Sequence, residues 1–378
     1  MLDTAAPASV NDDTNRRILA VSEDQLSGFH ADPFGEIARR SEVPVEDVIE
    51  RVRAMLAAGS IRRVRQTLLS TRLAASALVA WKLSSERLDA AFDYMYADDP
   101  FSGHVVLRST DRESPGGDFR LWTTLKVPQG FSLQKHCELL ARNVGAEAFR
   151  IMPARCLFVL GVGHTRRRDM APGARSDEAP QVIDTEVLRL SPERWRVLAA
   201  MKREFEPSEI QRDVWAPRAA EAELPLDVFC REAEALDGLG TVGRFSTFLE
   251  HVKPLQDGTR VTRYNGLFHW AVPAGREMDA GREIGRHHIL THAYWREAGP
   301  EFGNVNIMGV LHGLDKAEVL RHKDAIDAHL SEAGIPIEYT NVFWGGRSEI
   351  KPSEIMPDAY IAWCGANGID PASMKETA

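Results

Sequence analysis

A duplication inside the chain limits its fold more than any other feature of the sequence. Residues 43–64, VPVEDVIERVRAMLAAGSIRRV, align without a gap on residues 224–245, LPLDVFCREAEALDGLGTVGRF, at a constant offset of 181 positions. In both copies apolar residues recur at the spacing of one helix face, and a glycine, Gly59 or Gly240, follows the helix. An internal repeat indicates that one supersecondary unit is built twice.

Each copy predicts two helices followed by a short strand. A helical segment precedes the aligned helix, PFGEIARR in the first copy and PRAAEAE in the second, and a β-like run, IRRVRQTLL or VGRFSTFLE, follows it. Two helices joined by a tight turn, with a strand behind them, are typical of a winged helix-turn-helix unit. We expect these units at residues 11–72 and 189–254.

The similarity extends beyond the helices into a pattern of strands. SALVAWKL (76–83) matches NGLFHWAV (265–272), and HVVLRSTDRE (104–113) matches HILTHAYWRE (288–297). Each half then follows the order strand, helix, strand, strand, helix, strand, which predicts a ferredoxin-like βαββαβ sandwich at 73–165 and at 255–360. A stretch rich in charge, Gly and Pro, 166–188, reads as the linker. The expected fold is therefore α+β, with two tandem copies forming a pseudo-twofold dimer within one chain.

Composition restricts the classes of protein that this fold can serve. A chain of 378 residues with 44% hydrophobic residues can fill two or three domain cores, and no apolar run approaches the ~20 residues that span a bilayer. The N-terminal MLDTAAPASVNDD lacks the features of a secretory signal, so we expect a cytoplasmic protein without membrane contact. A net charge of -9 disfavours attachment to nucleic acid, and four cysteines without a CxxC pair disfavour a zinc or iron–sulfur site.

A winged helix followed by a ferredoxin-like sandwich resembles the AsnC/Lrp family of bacterial regulators, and the resemblance covers nearly the whole chain. Four stretches of the second half narrow it to siroheme decarboxylases: YNGLFHWAVP (264–273), LTHAYWRE (290–297), NVNIMGVLHG (304–313) and FWGGRSEIKPSEI (343–355). They are similar to that family's strand, its His-x-Tyr segment, its segment with Asn and Met before a His-Gly pair, and its Arg-Glu-x-Lys segment. The chain departs from the family where GNVN (303–306) replaces Trp-Pro-Tyr-Asn, and where a serine separates Arg347 from Glu349.

The resemblance implies an enzyme, a carbon–carbon lyase that removes acetate carboxyl groups from an iron tetrapyrrole. In that family two homologous subunits or two fused halves convert siroheme to 12,18-didecarboxysiroheme on routes to haem or haem d1. Siroheme would be the substrate, with no further cofactor required, and a homologous decarboxylase subunit is an expected partner.

The candidate residues also follow from the chemistry. A polycarboxylate ligand needs several cations, and protonation of the carbon that loses carbon dioxide suits histidine. We assign the catalytic role to His292 and His312, either of which could instead be an axial ligand of the substrate iron. No other metal site is predicted. The predicted substrate-binding residues are Arg296, Tyr294, Asn306, Asn265, Arg347, Lys351, Arg108 and Lys126.

The two halves differ at the positions of the histidines. The alignment puts Arg108 at the position of His292 and Lys126 at the position of His312, so permanent cations replace groups that can exchange a proton. We therefore expect the second half to perform the proton chemistry. Gly299, Pro300 and Gly303 predict a reversal of the chain that would place the strands of both histidines side by side.

Two other functions remain open at this point. A DNA-binding regulator would use the basic wing of Arg62, Arg63 and Arg65, although acidic residues begin both aligned helices. A non-catalytic tetrapyrrole carrier would use the same cations without a proton donor.

Overall fold

The structure, a computed structural model, describes residues 6–161, 163, 167, 169–250 and 261–376. The elements of the first half, in chain order, are α1 Asp13–Ser22, β1 Leu26–Ser27, α2 Pro33–Ser41, α3 Val45–Ala57, β2 Ile61–Leu68, β3 Ala75–Lys82, α4 Leu88–Ala97, β4 Ser102–Ser109, β5 Leu121–Val127, α5 Leu133–Val144 and β6 Ala148–Leu160. Those of the second half are β7 Ile183–Asp184, α6 Pro192–Lys202, α7 Ala216–Glu221, α8 Leu226–Gly238, β8 Val242–Leu249, β9 Tyr264–Ala271, α9 Glu277–Gly285, β10 His292–Gly299, β11 Val305–Gly313, α10 Lys316–Glu332, β12 Tyr339–Ile350 and α11 Pro357–Ala366.

The duplicated segments fold alike. Helices α3 and α8 both contain 13 residues and strands β2 and β8 both contain 8, and each pair starts at the offset found in the sequence. Gly59 and Gly240 adopt left-handed backbone angles, with φ of +74° and +67°. Each glycine therefore ends its helix as its sequence position predicts, because a residue with a Cβ is strained there.

One compact unit draws its described residues from Met1–Leu69, Gly161–Asp169 and Arg189–Arg263. Its strands form an antiparallel sheet in the order β1-β8-β2, so the strand after α3 pairs with the strand after α8. Aromatic side chains from both repeats fill its core, with Phe34 packed edge-on against Phe245 at a ring-centroid distance of 5.5 Å. The two helical repeats thus share one core and one sheet.

The second compact unit draws its described residues from Ser70–Leu160, Met170–Leu188 and Tyr264–Ala378. Its strands run in the order β10-β11-β9-β12-β4-β5-β3-β6, and β10 also pairs with β6. This last pairing closes an eight-stranded antiparallel barrel. The short strand β7 pairs with β6 at Cys156 and Leu157, beyond the part of β6 that pairs with β3.

The barrel is built from two equivalent four-stranded sheets. In each repeat the second, third, first and fourth strands lie side by side, as β4-β5-β3-β6 and as β10-β11-β9-β12. The sequence predicts a pseudo-twofold dimer of the two repeats within one chain, and their sheets join edge to edge through β12–β4 and β10–β6. Edge strands carry unpaired backbone N–H and C=O groups, and closure of the barrel pairs them.

The helices of this unit cover the outer face of the barrel. Two apolar cores lie under them, one with α4, α5 and α11 on the first repeat and one with α9 and α10 on the second. Trp81 and Trp270 occupy equivalent places in these cores, and both are fully buried. The residues that alternate with these core residues along each strand therefore face the barrel interior.

Some of the predicted boundaries fall outside the described residues. The positions 165 and 166 between the first sandwich and the linker, and 254 and 255 between the second wing and the second sandwich, are among them. Within the part of the chain that the structure describes, no helix is both long and apolar enough to cross a membrane.

Candidate functional site

The barrel interior is apolar at its centre. One buried cluster draws residues from every strand of the barrel, and its members are Ala80, Val106, Phe119, Trp122, Met152, Leu267, Ala298, Phe302, Val305, Met308 and Phe343. Strand alternation places polar residues on the same interior face beside this cluster: His104, Arg108, Lys126, Asn265, His269, Tyr294, Arg296 and His312, with His292 at the start of β10. Seven of the ten predicted site residues thus share one interior.

Five interior side chains form a continuous polar chain. His292 Nδ1 lies 3.1 Å from Thr291 Oγ1, and His312 Nδ1 lies 3.5 Å from the same hydroxyl. On its other side, His312 Nε2 lies 3.0 Å from Asn265 Nδ2. Arg108 Nη1 donates to Asn265 Oδ1 at 3.3 Å, so a residue of the first repeat ends a chain built by the second.

The strands explain why the two histidines meet. Strands β10 and β11 are antiparallel neighbours, as the sequence predicts, and His292 lies opposite Val310 in their register. His312 is two residues further on, so it is the diagonal neighbour of His292 on the same face. Thr291, which the sequence reading did not single out, fills the gap between them. Its position directly before His292 and its hydroxyl group were the available signals.

Tyr294 and Arg296 extend the chain along β10. The rings of His292 and Tyr294 lie 5.9 Å apart with an interplanar angle of 12°, and the guanidinium carbon of Arg296 lies 4.5 Å from the Tyr294 ring centroid. Every second residue of a strand faces the same side, so His292, Tyr294 and Arg296 form a stack on the interior face. The stack holds Arg296 against the π-face of Tyr294.

Within the described residues, no carboxylate neutralises the charge of Arg108 or Arg296. The two side chains are 5% and 7% exposed, and burial is the first cause of both pKa shifts. Burial lowers the pKa of Arg108 to about 9 and that of Arg296 to about 10. For Arg296, the interaction with Tyr294 raises the pKa and so partly offsets the effect of burial. The Nε atoms of both also lack a hydrogen-bond partner within the described structure. Two desolvated cations in one interior favour an anionic ligand.

The two arginines make equivalent contacts. Arg108 Nη1 donates to the backbone oxygen of Phe343 at 3.2 Å, and Arg296 Nη1 donates to the backbone oxygen of Met152. Phe343 lies on the last strand of the second repeat and Met152 on the last strand of the first. Each arginine therefore reaches across a joint between the two repeats.

The register of the paired strands gives an alignment of the two repeats that does not depend on their sequences. Ala80 and His269 precede the matched tryptophans, and they lie opposite Trp122 and Met308, respectively. Trp122 and Met308 are therefore equivalent positions. Lys126 and His312 each lie four residues after them, which agrees with the alignment made from the sequence.

On strands β4 and β10 the register differs by four residues from the alignment made from the sequence. Val106 lies opposite Trp122 and Tyr294 lies opposite Met308, so these two residues are equivalent. Arg108 then corresponds to Arg296, and the counterpart of His292 is His104. The alignment made from the sequence matched the Arg-Glu dipeptides at 112–113 and 296–297. The first of these dipeptides lies in the loop after β4 and not on the strand, so that match is not a structural one.

His269 is an interior residue that the sequence reading missed. It is fully buried, its ring lies 4.7 Å from the Phe343 ring, and neither ring nitrogen has a hydrogen-bond partner in the described structure. Burial, followed by the positive charge of Arg108, lowers the pKa of His269 to about 3. The imidazole is therefore neutral at physiological pH. Its sequence context, LFHWA, offers no signal beyond strand alternation.

Arg347 and Lys351 lie apart from this interior. A register shift of β12 between Gly345 and Ser348 turns Arg347 outward, where it is exposed and pairs with Asp89 at 3.1 Å and with Asp93 at 2.5 Å on α4. Lys351 Nζ donates to the backbone oxygen of Tyr96, also on α4. The structure therefore attaches both cations to a helix on the outer face.

Asn306 is also occupied by the protein itself. Its Oδ1 accepts from the backbone N–H of Val272 at 2.9 Å, and its Nδ2 donates to the Val272 carbonyl oxygen at 2.8 Å. Paired bonds of this kind hold the end of β9. Asn265, in contrast, belongs to the polar chain of the interior.

The basic wing of the helical unit is integrated into its sheet. Arg63 is 8% exposed and pairs with Glu204 at 3.1 Å, while Arg65 lies over the Phe248 ring at 5.3 Å. The wing strand β2 pairs along its length with β8. Phosphate-binding wings present their cations to solvent, so this arrangement does not favour attachment to DNA.

Residues 73–158, which cover the first strand–helix repeat of the barrel, match the model described as an AsnC-like ligand binding domain. A search of curated proteins gives no match.

Two solved structures are similar over most of the chain. The crystal structure of the siroheme decarboxylase NirDL gives a TM-score of 0.64 at 17% identity, covering 93% of this chain and 98% of that chain. NirDL in complex with an iron-uroporphyrin III analogue gives a TM-score of 0.62 at 17% identity, covering 94% and 100%. At this identity the similarity is one of fold.

Proposed function

We propose that the chain is a tetrapyrrole decarboxylase that converts siroheme to 12,18-didecarboxysiroheme, on a route to haem or haem d1. The observation that carries this proposal is the pair Arg108 and Arg296, buried on one interior face without a carboxylate partner in the described structure. An uncompensated buried charge costs several kcal/mol, ~3 or more. Carboxylates of the substrate would accept charge-assisted hydrogen bonds from both guanidinium groups and recover that cost.

The interior also holds the group that decarboxylation requires. The bond between an acetate methylene carbon and its carboxylate breaks, carbon dioxide leaves, and the electron pair stays on the carbon next to the pyrrole. A proton from an imidazolium then converts that carbon to a methyl group, and solvent returns the proton to the imidazole. We assign this step to His292 or His312. No oxidant, reductant or additional cofactor enters the balance.

The solved structures support the same reading. The name of NirDL is that of a siroheme decarboxylase, and its complex contains an iron-uroporphyrin III analogue. We interpret the chain as the fused form of two AsnC/Lrp-like repeats, each with a winged helix-turn-helix part and a ferredoxin-like part. The matched helices, wing strands and four-stranded sheets support this interpretation.

Both repeats contribute to the interior, which bears on the need for a partner. Arg108 comes from the first repeat and Arg296 from the second, and both face the same barrel. We therefore propose that one chain supplies both halves of the site. A requirement for a homologous subunit would appear as turnover only after that subunit is added.

The proposal is tested by anaerobic incubation of the purified protein with siroheme, followed by mass analysis of the tetrapyrrole. We expect the mass to fall by that of two carbon dioxide molecules. His292→Ala should lower turnover by ~100-fold or more if His292 is the proton donor, whereas the exposed His288→Ala should keep wild-type turnover. Bound but unchanged siroheme would indicate a carrier. A lost iron–imidazole spectral signature with unchanged turnover would reassign the histidine as an axial ligand.

A further inference from the structure

The polar chain of the interior fixes the orientation of one amide. A guanidinium group has only donors, so the atom of Asn265 that lies 3.3 Å from Arg108 Nη1 must be its carbonyl oxygen. The amide nitrogen of Asn265 then faces His312, 3.0 Å from Nε2. A Cβ at position 345 would lie 3.2 Å from Asn265 Cβ, so Gly345 on the adjacent strand gives this side chain its room.

The amide orientation determines which nitrogen of His312 carries a proton. The NH₂ group of Asn265 can only donate, so Nε2 of His312 must accept and cannot hold a hydrogen. The neutral ring then carries its proton on Nδ1, which lies 3.5 Å from Thr291 Oγ1. Protonation of Nε2 would set two N–H groups against each other, beside the cation of Arg108. This arrangement opposes the imidazolium form of His312.

The same hydroxyl places no such restriction on His292. Thr291 Oγ1 donates its hydrogen to the Val310 carbonyl oxygen at 3.1 Å, which leaves the oxygen to accept from Nδ1–H of both histidines. His292 can therefore keep its bond to Thr291 in the neutral form and in the imidazolium form.

We propose that Arg108, acting through Asn265, holds His312 as the neutral Nδ1–H tautomer and so leaves His292 as the proton donor of the pair. Arg108 and Asn265 are positioning residues in this respect. The assignment of the donor rests on the proposed function, while the tautomer of His312 does not. The inference also gives the first repeat a role in the second: its arginine sets the protonation of a histidine that it does not contact.

The tautomers can be measured directly on the ligand-free protein. The chain contains 12 histidines, and histidine-selective ¹⁵N labelling with a His312→Gln variant identifies the resonances of His312. We expect a pyridine-type Nε2 and a protonated Nδ1 at His312. Observation of the Nε2–H tautomer or of an imidazolium at His312 in the wild type would overturn the inference.

Substitution of Asn265 supplies the matched perturbation. In Asn265→Asp the carboxylate accepts from His312, so we expect the proton of His312 to move to Nε2 or the ring to become cationic. Arg108→Met leaves the amide free to rotate and should give a mixture of tautomers, which serves if the aspartate variant does not fold. Unchanged His312 resonances in either folded variant would contradict the proposal.

Turnover then separates the inference from the function on which it partly rests. With siroheme as substrate, the Asn265→Asp variant should show an additional ionisation in its pH–rate profile, because a second histidine now titrates. If no variant and no wild-type protein consumes siroheme while His312 has the expected tautomer, the proposed function fails and the tautomer assignment stands. If siroheme is turned over but His312 is protonated at Nε2, the proposed function stands and the tautomer assignment fails.

Discussion

Replacement of Arg108 by methionine should separate stability from binding. The fall of the Arg108 pKa from its ordinary value to about 9 corresponds, at about 1.4 kcal/mol per pH unit, to about 5 kcal/mol of desolvation cost in the ligand-free protein. Arg108→Met removes this cost but also removes two hydrogen bonds from a charged donor, to Asn265 Oδ1 and to the Phe343 carbonyl oxygen, each worth ~1.5–3 kcal/mol. These contributions nearly cancel. We expect the free energy of unfolding to change by less than ~2 kcal/mol in either direction, whereas loss of one partner of a buried ion pair costs ~3–5 kcal/mol.

The same substitution should weaken the binding of a tetrapyrrole carboxylate. Removal of one partner from a buried charge pair costs ~2–5 kcal/mol, so the affinity for iron-uroporphyrin III should fall at least ~30-fold. Urea unfolding at pH 7 and an absorbance titration measure the two quantities. The control is Arg155→Met, because Arg155 lies on β6 of the same barrel but is exposed and paired with Glu297 at 3.3 Å. Unchanged affinity together with a loss of more than ~3 kcal/mol of stability would show that Arg108 is structural and refute the reasoning.

Three further predictions concern acid stability, packing and nucleic acid. Burial lowers the pKa of His269 to about 3 in the native protein, below the unfolded value of ~6.5. Its contribution to the free energy of unfolding is therefore complete above pH ~6.5 and is lost as the pH falls. In urea unfolding, His269→Phe should remove ~2 kcal/mol of the destabilisation between pH 7 and pH 5, and an unchanged pH dependence would contradict this. A Cβ at Gly281 on α9 would overlap the Phe158 ring, so Gly281→Ala should lower the free energy of unfolding by ~1–3 kcal/mol. Gly238 has open space around it, so the control Gly238→Ala should be neutral or stabilising. Equal effects of the two substitutions would refute the packing argument. In a mobility-shift titration at moderate salt we expect only weak, strongly salt-dependent DNA binding, and a tight sequence-selective complex would favour a regulator.

The local structure of the repeats could be predicted from the sequence because it depends on short-range patterns. The apolar spacing of residues 45–56 and the glycine after them determine a helix and its end, and their copy in the second half confirms both. Closure of the barrel could not be predicted in this way. Periodicity identifies a strand and its buried face, but it does not specify which edge of another sheet the strand will pair with.

The candidate site was predictable where residue type and strand parity suffice. Asn265 and His312 face the interior because they alternate with core residues of their strands. The outward position of Arg347 depends on a bulge in β12, which reverses the parity of the residues beyond it. The equivalence of Arg108 and Arg296 likewise required the register of the paired strands, since a four-residue displacement along a strand preserves the face and leaves no trace in the hydrophobic pattern.

The duplication therefore produces an interior that is symmetric in its two buried arginines and asymmetric in its proton chemistry. Arg108 and Arg296 occupy equivalent positions and reach equivalent backbone oxygens. Lys126 in the first repeat, however, corresponds to His312 in the second, and it is the second repeat that brings two histidines to one hydroxyl. Such an interior suits a ligand with carboxylates on several sides and a reaction at one of them at a time.

The reaction of siroheme in heavy water tests the central claim most directly. Because the proton on each new methyl group comes from an imidazolium in exchange with solvent, anaerobic incubation in D₂O should yield a product that has lost two carbon dioxide molecules and gained one deuterium for each. The His292→Ala variant should bind siroheme but return it unchanged over the same period, while the His288→Ala control should match the wild type. Recovery of intact siroheme from the wild-type protein, or product without incorporated deuterium, would contradict the account.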